Sequence, residues 1–135
     1  KGTAAAVAAL IDERVDAGWV YTTTGVKYSD KVRMLAVAMD KRHAKFPNVP
    51  TFRELGYDFV GGAYRGIAVP NTTPEDIQMK ISKIFAKIDQ DPAYLAEKAA
   101  LGFVPLSVGY KEIPAFMTSR RVEYLPLARE AGLID

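Results

Sequence analysis

The chain has no cysteine, one histidine and one tryptophan among its 135 residues. Without cysteine there is no disulfide framework, thiolate zinc cluster or thiol nucleophile. The single histidine, His43, sits in Asp40-Lys41-Arg42-His43-Ala44-Lys45. A serine-histidine-acid triad would need it beside a nucleophile, and no elbow-type glycine-serine motif is present. Its cationic neighbours predict a solvated loop histidine. No group of His, Asp and Glu has metal-ligand spacing, so no metal site is expected. The pairs Asp12-Glu13 and Glu75-Asp76 are adjacent on helices and point to different faces, which suits no carboxylate dyad. Neither a phosphate loop of the G-x-x-x-x-G-K type nor a G-x-G-x-x-G fingerprint occurs, and no cofactor is implied. The residues offer no catalytic machinery, and the chain reads as a non-enzyme.

Charge of one sign is lacking too. Eighteen basic and 16 acidic residues are scattered along the chain and leave a net charge of +2. That balance gives no concentrated basic face for nucleic acid. The longest apolar candidate, residues 34–39, is far short of the roughly 18 to 20 residues that cross a bilayer. The alanine-rich start has no apolar core and cleavage site, so no export signal is expected within the chain. What is present, 49% hydrophobic and 25% charged residues, is the composition of a globular protein. The length predicts a single domain over 1–135.

Helix and strand signals alternate. Residues 3–14 predict a helix, with Thr3 as an N-cap candidate and alanine at 4, 5, 6, 8 and 9. Residues 15–21 predict a strand through Trp19, Val20 and Tyr21, ended by Thr22-Thr23-Thr24-Gly25. Residues 32–39 are apolar almost throughout, the pattern of a strand covered on both faces. After a polar connection over 40–50, Thr51 and Glu54 form a capping-box pair on a short helix that Gly56 stops. Residues 64–69 predict another strand.

Thr73 and Pro74 then open a helix whose stripe of Ile77, Ile81, Ile84, Phe85 and Ile88 reads as core. Residues 92–101 form a further helix ending at Gly102, and 103–108 a strand. A long helix from Tyr110 or Lys111 to Ala131 carries Pro126 inside it, where a kink is expected. The alternation predicts an α/β fold, a mainly parallel sheet flanked by helices.

Two segments could bind a ligand through the backbone. Gly2-Thr3-Ala4-Ala5 places free amide N–H groups at a helix start, a ready site for a carboxylate or phosphate. Every helix has such a terminus, and most hold only water or their own cap. The run Thr22-Thr23-Thr24-Gly25 lies at the carboxyl end of a predicted strand, where open α/β sheets place ligands. The plainer reading there is a helix cap after a β-branched strand end. Arg65, beside Tyr64, could grip a carboxylate or serve as a surface ion-pair partner.

The run Phe46-Pro47-Asn48-Val49-Pro50-Thr51-Phe52-Arg53-Glu54-Leu55-Gly56-Tyr57 precedes Gly66-Ile67-Ala68-Val69-Pro70-Asn71-Thr72-Thr73-Pro74-Glu75-Asp76-Ile77. With Lys1-Gly2-Thr3-Ala4-Ala5-Ala6, Arg14-Val15-Asp16 and Val32-Arg33-Met34-Leu35-Ala36-Val37 upstream, this order resembles the receptors of tripartite tricarboxylate transporters, the Bug-type periplasmic solute-binding proteins. The resemblance covers nearly the whole chain. It implies one lobe of a type II periplasmic-binding-protein-like fold, the second lobe plus C-terminal helices, with the first lobe absent.

It also implies a periplasmic location and capture of a small carboxylated solute between two lobes for delivery to membrane permease subunits. The ligand contacts it implies are Gly2, Thr3, Ala4 and Ala5, with Tyr21, Thr22 and Thr23 near the end of the following strand. Where the family's strand commonly ends in an aromatic and then an acid, Trp19 keeps the aromatic and Val20 replaces the acid. An effector-binding domain of a transcription regulator with a similar fold is the alternative. Self-association of the isolated lobe is a further expectation.

Overall fold

The computed structural model describes residues 2–135. They form two compact units, Lys1–Ile67 with Ala96–Val104, and Ala68–Leu95 with Pro105–Asp135; the boundary falls within a helix.

In the first unit, helix α1 spans Thr3–Ile11 and buries Val7. Its alanines are the strongest helix formers and leave Val7 to anchor the inner face. It stops where Glu13 turns left-handed at φ 56. The N–H of Arg14 then donates to the Ala9 carbonyl at 2.9 Å and that of Glu13 to the Leu10 carbonyl at 3.2 Å. This is the paired closure of a Schellman end, with glutamate where glycine is usual.

Helix α2 spans Thr22–Lys27 and is pressed closely at Gly25, where an added Cβ would stand 2.6 Å from Met34 Sδ and 3.0 Å from Phe46. Val37 and Thr51 form a parallel bridge. The Val37 N–H donates to Pro50 at 3.0 Å, and Phe52 N–H donates to Val37 at 3.1 Å. Both residues of the bridge are buried.

The expected parallel sheet is not formed. Val37–Thr51 is the one strand pairing among the described residues, and the segments 15–21, 64–69 and 103–108 carry none. A strand exists through the ladder it shares with a neighbour, and β-branched or aromatic composition only fits a segment for one. Those segments meet no ladder partner. Leu35, Ile67, Val104 and Leu106, within the segments read as strands, are all exposed. The short helix expected over 51–55 is a run of turns.

In the second unit, helix α3 spans Glu75–Ile88 after Pro74 as N-cap, with Glu75 and Asp76 in its first turn and Lys87 in its last. Thr73 is not the cap; its carbonyl instead accepts from the Gln78 side chain at 2.7 Å. Helix α4, Pro92–Ala100, opens on Asp91, whose carboxylate accepts the Tyr94 N–H at 2.9 Å. Helix α5, Ile113–Glu130, contains Pro126. Glu112 closes its entry by accepting the Gly109 N–H at 2.9 Å, and Tyr110 N–H donates to Ser82 Oγ at 3.1 Å.

The α3 stripe is not core: Ile77, Ile84, Phe85 and Ile88 are exposed. Among the described residues no helix packs extensively along another, and amphipathicity marks the face a helix would bury without supplying the partner. Among the described residues no helix is long and apolar enough to cross a membrane.

Candidate functional site

All the residues singled out for ligand binding lie in the first unit. Gly2, at φ 88 and ψ 171, is the N-cap of α1 and has no side chain with which to cap it. Thr3 follows as the first helical residue and is not the cap, and no acid occupies the first turn. The Gly2 carbonyl accepts the Ala6 N–H at 3.3 Å. Gly2, Ala4 and Ala5 are exposed, and Thr3 is half-buried. The terminus therefore combines the positive end of a helix dipole with small side chains and no internal carboxylate.

Tyr21, Thr22 and Thr23 are not at a strand end. Tyr21 is the N-cap of α2, extended at φ −79 and ψ 156, and the threonines begin that helix. The Tyr21 carbonyl accepts the N–H groups of Thr24 and Gly25 at 2.9 and 3.2 Å. Thr22 Oγ1 donates to the Gly102 carbonyl at 2.8 Å. That proton is committed, so Thr22 offers a ligand its backbone and oxygen lone pairs but no hydroxyl donor. Thr23 is half-buried and Tyr21 exposed. No hydrogen bond joins residues 2–5 to residues 21–23.

The sequence reading missed the group on either side of the Val37–Thr51 bridge. An open cavity of about 500 Å³ is lined by Asp40, Lys41, Arg42, Thr51, Arg53 and Glu54. Four of its five charged residues are paired. Arg42 meets Glu54 at 2.9 Å, and Arg53 bridges Asp40 and Asp58. The hydrogen bond and charge of Asp58 hold the Arg53 guanidinium above its ordinary range.

Glu54 accepts the Thr51 N–H at 2.8 Å, and Thr51 Oγ1 accepts the Glu54 N–H at 3.1 Å. This is the capping-box exchange expected from sequence, formed around a turn. The backbone hydrogen bond from Thr51, followed by Arg42, keeps the Glu54 carboxyl below its ordinary value. Nearby, Trp19 stacks on Phe52 at 5.4 Å and meets Phe59 edge-on at 5.6 Å, yet remains 72% exposed.

His43 is not a solvated loop histidine. It is buried, lies 5.2 Å from the Phe46 ring, and accepts the Lys45 N–H on Nδ1 at 3.1 Å. The polar neighbours in sequence hid this, because a local backbone contact and one aromatic ring suffice to bury an imidazole. Arg65 lies 5.7 Å from the Phe103 ring. Among the described residues no group of three or more His, Asp or Glu could hold a metal.

Residues 1–133 match the model of the tripartite tricarboxylate transporter family receptor. The chain is 31% identical over 103 residues to "UPF0065 protein in gbd 5'region" of Cupriavidus necator, covering 76% of this chain and 32% of that protein. It is 28% identical over 105 residues to "Protein BugT" of Bordetella pertussis, covering 77% and 32%. A UPF0065 protein of Bordetella bronchiseptica is 25% identical over 105 residues, covering 78% and 31%. The chain thus spans about a third of the length of these relatives. No solved structure matches it.

Proposed function

The chain belongs to the tripartite tricarboxylate transporter receptor family, and on that premise we propose that it contributes to a periplasmic solute-binding protein. Its ligand is a small carboxylated organic solute, which the receptor hands to membrane permease subunits. The ligand carboxylate is held by the backbone amides at Gly2, Thr3, Ala4 and Ala5, with Tyr21, Thr22 and Thr23 as the accompanying segment.

The observation that carries this reading is the bare start of α1. It has a glycine N-cap, no side-chain cap and no acid in its first turn. By contrast, α3 carries Glu75 and Asp76 in its first turn, and the approach to α5 is closed by Glu112. A terminus without an internal carboxylate is the one suited to an external one.

Isothermal titration of the chain with citrate, succinate and benzoate tests it. Saturable binding of at least one carboxylate is expected, weakened about tenfold or more by Thr3→Phe, which is roughly 1.4 kcal/mol. Unchanged affinity in Thr3→Phe would remove this loop from the site.

A further inference from the structure

We draw no further inference here: the strongest candidate, the surface patch of the first unit where the exposed Trp19 ring stacks on Phe52 and meets Phe59 edge-on, is an apolar face, and nothing in the structure shows what covers it.

Discussion

Thr22 Oγ1 donates a hydrogen bond to the carbonyl of Gly102 at 2.8 Å, tying the first turn of α2 to the end of α4 across 80 residues of sequence. Gly102 itself is left-handed at φ +82, and a Cβ there would stand 2.7 Å from Val26 Cγ2 and 3.3 Å from the Thr22 carbonyl oxygen. Gly102→Ala is therefore expected to lower stability by about 1–3 kcal/mol, from both the left-handed backbone and the collision. Thr22→Val, which removes the donor alone, should cost about 1 kcal/mol. Urea unfolding of both variants checks the order; a Gly102→Ala protein as stable as the parent would contradict this close contact.

Glu13 holds the left-handed position at the end of α1 with φ 56. A glycine there avoids the steric cost that a side chain meets, although it also loosens the unfolded chain. Glu13→Gly is expected to raise stability by a few tenths to about 1 kcal/mol, with Glu13→Val lowering it. The measurement is the urea midpoint of each variant against the parent.

Glu54 makes part of the stability of residues 40–58 depend on pH. Its folded carboxyl titrates below the ordinary 4.5, chiefly because it accepts the Thr51 N–H and then because of Arg42. A depressed carboxyl stabilises the folded state at pH above its unfolded value, and that contribution fades as pH falls through 4.5 and the folded pKa. The stability gap between the parent and Glu54→Gln should thus be largest near neutrality and close in acid. A gap that stays constant between pH 7 and pH 3 would show that the ionised form contributes nothing.

His43→Ala is expected to destabilise by about 1–3 kcal/mol, since it strips the acceptor from the Lys45 N–H and leaves a void beside Phe46. A solvated histidine would tolerate the change within about 0.5 kcal/mol. Thermal or urea unfolding distinguishes the two.

Local features were legible in the sequence because they depend on neighbours along the chain. Four of the five helices, α1, α3, α4 and α5, lie close to their expected places, Gly56 and Gly102 take the left-handed stop positions, and Thr51 and Glu54 exchange their capping bonds. The family was legible as well, through the collinear order of loosely similar segments that the family model matches over residues 1–133. Pairing was not legible. The strand-like segments 15–21, 32–39, 64–69 and 103–108 have the right composition, yet a ladder needs a second backbone at about 4.8 Å. Only Val37 finds one, at Thr51.

The same division runs through the binding residues. The sequence was enough to place a helix start at Gly2 to Ala5, because the alanine run after Thr3 has the strongest helix propensity. Tertiary structure decided that Thr22 would give its proton to Gly102, that His43 would be buried, and that the α3 stripe would stay exposed. Helix formation and capping are settled within a few residues by backbone hydrogen bonds and side-chain entropy. Burial is settled by which distant surface arrives, and no local pattern carries that information.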